Sequence, residues 1–343
     1  MTIPAPYLPF RRAPDTSGRR RSLLSSVVTV DQTEVSDCDE LREAVQDAQV
    51  DILQLERGKM SGTITHVSVD TVGVSTGDFT QGLRSLGNLS DRRWALAAVL
   101  DASALWQHFE AMPGDLLILP PNHELYARYL ASNQYAAVFI EENELFAFLE
   151  GQPGALDAAV WRQSSALLTT DPATAAASTA TLRLLLGALA KHGPAMSVGE
   201  VEDYKFRLLN LMTAPVIKSA GYRYRDPRLK QSSLELVRDV EHFLIETGTP
   251  PHIYELADHL GVSRQNLYRA FREVHGMPPG QFIDRKRLRD VHTALLTAAP
   301  GMETVEVIAR QHGFIHLGRF SREYQSQFAE ALYRPAPSSR SKQ

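Results

Sequence analysis

A ten-residue pattern occurs twice near the C-terminus, 52 residues apart, and it constrains the fold more than any other feature of the chain. Ile253-Tyr-Glu-Leu256-Ala257-Asp-His-Leu-Gly261-Val262 and Val305-Glu-Val-Ile308-Ala309-Arg-Gln-His-Gly313-Phe314 align position for position as apolar-x-x-apolar-Ala-x-x-x-Gly-apolar. Each residue type has a steric reason in a helix-turn-helix. The alanine, Ala257 or Ala309, is small where the first helix meets the second. The glycine four residues on, Gly261 or Gly313, takes the positive φ of a tight turn, and the next apolar residue plugs the joint. One copy is a weak signal, since many helical hairpins carry it by accident; two copies in register are a strong one.

A second amphipathic helix must follow each glycine. After Gly261, Ser263 is an N-cap, with Leu267, Ala270, Phe271 and Val274 on one face and Arg264, Gln265, Tyr268, Arg269 and Arg272 on the other. After Gly313, Phe320, Tyr324 and Phe328 form the core face, leaving Arg319, Ser321, Arg322 and Gln325 outside. Between the copies, Gln281–Leu296 reads as one helix, with Phe282, Leu288, Val291 and Leu295 apolar and a basic run from Arg285 to Arg289. At 1.5 Å per residue it spans roughly 24 Å. That length can hold two helices near the spacing of one DNA turn, roughly 34 Å. The pattern predicts an all-α unit presenting two major-groove helices in tandem. Arginine suits guanine O6 and N7, and glutamine suits adenine N6 and N7. Any one exposed arginine is more often a phosphate contact or a solvated group than a base reader.

Charge tests this reading. The whole chain carries 36 Lys plus Arg against 40 Asp plus Glu, a net −4, which taken alone speaks against nucleic acid. Residues 1–225 hold 20 basic and 26 acidic side chains, whereas residues 226–343 hold 16 and 14, together with 7 of the 11 histidines. The acid excess therefore lies in the N-terminal part. A surplus of +2 is small for a DNA-binding unit and predicts modest non-specific affinity, with reliance on dimerisation and base contacts.

Upstream of the repeat the texture changes twice. From about Asp51 to Leu149 short β-type runs occur at Asp51–Leu55, Ile64–Val69, Thr71–Val74, Trp94–Leu100, Asp115–Leu119, Tyr126–Leu130 and Ala136–Ile140. They are separated by turn signals at Arg57-Gly58, Thr76-Gly77-Asp78, Leu86-Gly87-Asn88 and Met112-Pro113-Gly114-Asp115. Short strands without long intervening helices suggest an antiparallel sandwich or small barrel. Residues 155–219 read as helical, with Asp171-Pro172 as a capped start and Ser197-Val-Gly-Glu200 as a capping box. These helices are expected to pack on the β region or on a partner copy. Gly221–Lys230 is polar, basic and proline-bearing, the composition of a linker. The fold class is therefore α+β: an N-terminal antiparallel β sandwich or barrel with helices, then an all-α tandem helix-turn-helix domain. The expected boundaries are an arm at 1–35, a first domain at 36–220 (β-rich 51–150, helical 155–219), a linker at 221–232, the helical domain at 233–333 and a tail at 334–343.

Residues from about Leu234 to Leu332 resemble the AraC/XylS family of bacterial transcription regulators. The resemblance rests on Leu256-Ala-Asp-His-Leu-Gly-Val-Ser263, Leu267-Tyr-Arg-Ala-Phe271, the Arg287-Leu288 pair, and Gly313-Phe-Ile-His-Leu-Gly-Arg-Phe-Ser-Arg-Glu-Tyr324. The last stretch resembles in particular the benzoate-type and ethanolamine-type regulators. Where the family has Phe-Gly-x-x-Pro-Ser, this chain has Phe328-Ala-Glu-Ala-Leu-Tyr333. The resemblance implies binding to double-stranded DNA, with Gln265, Tyr268 and Arg269 facing bases from the first recognition helix. From the second it implies Leu317, Gly318, Arg319, Ser321 and Arg322, with Arg264, Arg272 and His316 completing the DNA-contacting set. Gly318 lacks a side chain and would permit close backbone approach. Lys286, Arg287 and Arg289 take phosphate or structural roles. The first domain would then bind an unknown small-molecule effector and mediate homodimerisation in the cytoplasm, with RNA polymerase a candidate further partner. Met112-Pro-Gly-Asp-Leu-Leu-Ile-Leu-Pro-Pro-Asn-His123 resembles a hairpin of the cupin-like domains that such regulators often carry.

The alternative is a small-molecule enzyme or metal cupin with an appended helical domain. Cupin metals need clustered His and Glu, but His66, His108 and His123 are isolated, so no metal and no cofactor is expected. Gly73-Val-Ser75-Thr-Gly77 matches the nucleophile elbow of hydrolases. Asp78-Phe-Thr-Gln-Gly82 is a poor start for the helix that motif needs, and a β-turn is expected there instead, with no catalytic residue. The lone Cys38 excludes an intramolecular disulfide framework and fits a reducing compartment. No apolar run reaches the roughly 18 residues of a membrane span. Arg19-Arg-Arg21 before Ser22–Val30 mimics an export signal, but the apolar stretch is serine-diluted and ends at Asp31.

Overall fold

A computed structural model describes residues 28–156, 158–217, 222–247, 252–297, 304–330 and 332. The first 27 residues of the arm, the start of the linker at Gly221, the breaks at 248–251 and 299–301 and the tail at 334–343 lie outside the described residues.

The N-terminal half is built from β1 (Val28–Val35), α1 (Cys38–Ala44), β2 (Ala48–Gln54), β3 (Gly62–Val69), β4 (Val72–Phe79), β5 (Leu83–Leu89), β6 (Arg93–Val99), β7 (Ala104–Trp106), β8 (Phe109–Ala111), β9 (Leu116–Leu119), β10 (Glu124–Tyr129) and β11 (Asn133–Glu141). After these come α2 (Glu142–Glu150), β12 (Ala166–Thr169), α3 (Pro172–His192), α4 (Val198–Ile217) and β13 (Arg223–Tyr224). The strands form two antiparallel sheets, ordered β1-β3-β4-β11-β6-β9-β12-β13 and β2-β5-β10-β7-β8. The fold is the expected antiparallel β unit followed by helices. Ile52, Ile64, Phe79, Trp106 and Phe139 fill the space between the sheets. On the outer face of the larger sheet, Val138 and Ile140 pack against Leu145 of α2, Leu182 and Leu189 of α3 and Leu208 and Met212 of α4. A strand such as β11 is thus apolar on both faces, which is why its sequence reads as a continuous run rather than an alternation.

Several local readings change. Residues 28–35, assigned to the arm, form β1, which pairs with β3 along its whole length and buries Val28 and Val35. The turn read at Leu86-Gly87-Asn88 lies inside β5. A Cβ at Gly87 would sit 1.9 Å from the Gln49 carbonyl oxygen of the neighbouring strand, so the glycine marks close backbone approach. Thr76-Gly77-Asp78 likewise lies inside β4, with the Tyr135 ring against Gly77. Gly73–Gly77 is therefore neither elbow nor turn, and Ser75 is buried within the strand. Met112–His123 does not close a hairpin: β8 pairs with β7 in one sheet, β9 pairs with β6 and β12 in the other, and the segment crosses between them. Asp115 fixes the crossing by accepting the Met112 N–H at 2.8 Å and pairing with Arg225 at 2.7 Å.

The expected caps are present at α3, where Asp171 accepts from the Ala173 and Thr174 amides. At α4, Ser197 and Glu200 bond each other reciprocally. By length and by a mean hydropathy of 1.3 over an 18-residue window, α3 could also cross a bilayer. Its leucine face is packed on the β core, and Arg183 from the same helix donates to the Leu100 carbonyl at 2.8 Å.

The C-terminal half comprises α5 (Gln231–Thr247), α6 (Ile253–His259), α7 (Arg264–His275), α8 (Pro279–Thr297), α9 (Val305–Gln311) and α10 (Leu317–Phe328). The sequence repeat becomes a repeat of backbone geometry. Gly261 and Gly313 have φ of +63° and +84°, Ala257 and Ala309 are buried, and the amides of Val262 and Phe314 donate to the carbonyls of Ala257 and Ala309 at 2.9 and 3.0 Å. The 19 residues of α8, roughly 28 Å at 1.5 Å each, join the two units.

Candidate nucleic-acid interface

Helix α7 starts at Ser263, whose hydroxyl accepts the Asn266 amide at 3.2 Å, and ends at Gly276 in the left-handed region. Its core face, Leu267, Ala270, Phe271 and Val274, packs with α5, α6 and Phe282 of α8. That leaves Arg264, Gln265, Arg269 and Arg272 exposed and Tyr268 half-buried on one continuous face. Arg269 lies 3.9 Å from Glu273, whose other oxygen accepts from Ser233 at 2.6 Å, so Glu273 both anchors α7 to α5 and leans on the Arg269 side chain.

Helix α10 buries Phe320 and Tyr324 in the second unit's own core with Leu288, Val291, Ile308 and Ala309. His292 of α8 meets the Tyr324 hydroxyl at 2.7 Å and stacks on Phe328. His316, Gly318, Arg319, Ser321 and Arg322 are exposed and Leu317 is half-buried. Arg319 pairs with Glu323 at 2.7 Å, and Arg322 donates to the Gly318 carbonyl at 3.2 Å. Ile315, which precedes the helix and is 75% exposed, was absent from the set read from sequence. Its signal was an apolar residue at the repeat position that Ser263 occupies in the first copy. The two sequence-read clusters thus each assemble on one helix face.

A second set of residues gave no sequence signal. Arg84 of β5, 1% exposed, lies 2.8 Å from Asp51 of β2 and 2.7 Å from Glu241 of α5. Glu241 also bonds His275, the last residue of α7, at 2.9 Å. Asp51 is shared with Arg289 of α8, and the Arg84 guanidinium stands 5.8 Å from the Phe282 ring centre. Tyr126 of β10 reaches His275 at 3.3 Å. Burial alone would raise the Asp51 carboxyl, but the guanidiniums of Arg84 and Arg289 hold it well below the usual carboxylate range. Burial pushes His275 down despite Glu241, keeping it neutral in the fold. Around this network Leu53, Leu86, Leu105 and Tyr126 share one apolar cluster with Leu234, Val240, Phe271 and Phe282. Further out, Glu124 pairs with Arg238 and His242, Thr293 donates to Asp39 of α1, and Gln54 exchanges hydrogen bonds with Gln327 near the end of α10. Of the basic run on α8, Lys286 is buried and Arg289 is committed to Asp51, so both have structural roles here.

Residues 256–333 match the helix-turn-helix domain family. The chain is 32% identical over 75 residues to the XylDLEGF operon transcriptional activator of Pseudomonas putida, covering 22% of this chain and 23% of that protein. It is 32% identical over 89 residues to the probable thc operon regulatory protein of Rhodococcus erythropolis, covering 26% and 27%. The chain thus spans about a quarter of the length of these curated relatives. A crystal structure of the AraC-like transcriptional activator CuxR aligns with 81% of this chain and 99% of that one, at 14% identity and a TM-score of 0.39. The C-terminal region is a helix-turn-helix domain, similar over this stretch to the operon regulators named above.

Proposed function

We propose that the chain is an effector-responsive, sequence-specific DNA-binding transcription regulator that lays α7 and α10 in adjacent major grooves. The observation that carries this reading is the pair of helix-turn-helix units with matching turns, joined by α8, each leaving an arginine-bearing recognition face in solvent. Arg264, Gln265, Tyr268, Arg269 and Arg272 contact DNA from the first helix, and His316, Leu317, Gly318, Arg319, Ser321 and Arg322 from the second. The relatives named above as regulator and activator support the regulatory role, and make RNA polymerase the candidate further partner. The chain acts as a homodimer through α3 and α4, a placement supported by the exposed Leu184, Val198 and Phe206 on these helices.

Effector control runs through α1. Leu41 of this helix lines a cavity inside the β unit, while Asp39, two residues away, accepts the Thr293 hydroxyl on the helix joining the two DNA-binding units. Filling the cavity shifts α1, and α1 shifts α8. Control of this kind requires the effector to bind the free and operator-bound protein with different affinity.

Gel-shift titration against DNA upstream of the protein's own operon tests the reading. Arg269→Ala and Arg322→Ala should each cost about 1–3 kcal/mol and relax preference at one base position. Operator affinity indifferent to both refutes the recognition-helix assignment.

A further inference from the structure

The cavity in the β unit has a chemistry of its own. It measures about 80 Å³ and lies between the two sheets beneath α1. Its wall is mostly aliphatic and aromatic, with Gln46, Ser75 and Ser85 as polar members, and among the described residues no Asp, Glu, Lys, Arg or His side chain lines it. Polar atoms enter at a few points only. The Tyr135 phenol is held by the Ser75 hydroxyl. Trp106 is 1% exposed, and among the described residues its indole N–H meets the Tyr129 phenol only outside direct hydrogen-bond geometry. A buried donor without a well-placed acceptor is destabilising, and an acceptor placed in the cavity would satisfy it. A carboxylate or ammonium entering the same space would lose its hydration and find no countercharge.

Building on the effector reading above, we infer that the cavity binds a compact, uncharged, largely apolar molecule carrying one hydrogen-bond acceptor, which takes the Trp106 N–H. Size sets a second limit. The volume is roughly half of the 150 Å³ apolar cavity known to admit benzene, so even a five-membered ring requires wall residues such as Leu41 and Val45 to yield. The ligand is therefore small, and its entry displaces α1.

Calorimetric titration of the full-length protein without DNA tests this, using cyclopentanone, cyclopentane and cyclopentanecarboxylate as probes. One cyclopentanone is expected per chain, with the carboxylate at least about tenfold weaker. Trp106→Phe should weaken the ketone about fivefold and leave cyclopentane unchanged. Ala97→Leu, which fills the cavity from β6, should abolish ketone binding and serves where the tryptophan variant fails to fold; thermal melts establish which variants are folded. No saturable ketone binding, a carboxylate as tight as the ketone, or ketone binding that survives the folded variants overturns the inference. Operator shifts measured in parallel separate the two readings. Ketone binding with recognition-helix variants that leave DNA affinity untouched sinks the DNA reading alone, and the converse sinks the ligand inference alone.

Discussion

Glu241→Gln probes the buried network most directly. Glu241 is 1% exposed, 2.7 Å from the Arg84 guanidinium and 2.9 Å from His275. Neutralising it leaves Arg84 with Asp51 alone, a carboxylate that Arg289 also engages while keeping Asp290 at 2.8 Å, so Arg84 retains only a shared countercharge. Removing one partner of a buried pair costs about 3–5 kcal/mol. The lower end, about 3 kcal/mol, is expected here because Asp51 still offsets part of the charge. Arg84→Met leaves Glu241 without a guanidinium and Asp51 with Arg289 alone, and should cost about 3–5 kcal/mol. The double variant removes a contact both singles have already broken, so it should fall short of their sum by at least about 1.5 kcal/mol. Urea unfolding can be followed by tryptophan fluorescence, since Trp94, Trp106 and Trp161 all lie in the β half, and by far-ultraviolet dichroism, which is dominated by the helices. Because the network joins the halves, both signals should shift together. A cost below about 1 kcal/mol for Glu241→Gln, or a coupling under about 0.5 kcal/mol, would show that the halves are held by apolar packing instead.

Two further outcomes follow from single residues. Ala329 ends α10 with φ of +54°, in the region where a Cβ costs about 1–2 kcal/mol, so Ala329→Gly should raise the melting temperature despite its extra chain entropy; a lower one would refute the strain. His275 is held neutral by burial, so the folded chain takes up its proton below the ordinary histidine range while the unfolded chain takes it up near pH 6.5. Stability should therefore fall as pH drops below about 6.5, and His275→Gln should flatten that slope without abolishing it, because His108 and His123 are also pushed down by burial; an unchanged slope would place the titration elsewhere.

What the sequence disclosed follows the range of the interactions. The helix-turn-helix units were legible because their determinants, Ala257 to Gly261 and Ala309 to Gly313, sit within one turn of each other and occur twice. The caps at Asp171 and Ser197 were legible for the same reason. Gly87 was misread because a glycine that lets Gln49 approach and a glycine that makes a turn look alike without the neighbouring strand. The crossing at Met112–His123 was misread because Pro-Gly-Asp specifies a bend, while the pairing of β8 with β7 and β9 with β6 is decided by distant strands. Nothing local announces that Arg84, Asp51, Glu241 and Arg289, spread over four elements, share one site.

The basic run on α8 is where the two halves of the function meet. In sequence, Lys286, Arg287 and Arg289 suit either phosphate or structure; in the fold, Lys286 is buried and Arg289 is turned to Asp51. These roles exclude each other for Arg289, since one guanidinium cannot face the β unit and a DNA backbone at once. Each phosphate contact adds about 0.9 to the slope of log K against log salt. If operator binding keeps the halves packed as described, Arg289→Gln should lower stability and leave that slope unchanged. A slope reduced by about 0.9 would mean that α8 turns to the phosphates in the complex. Release of the Asp51 contact would then be a step in DNA binding itself, and any ligand that moves α1 would act on that step.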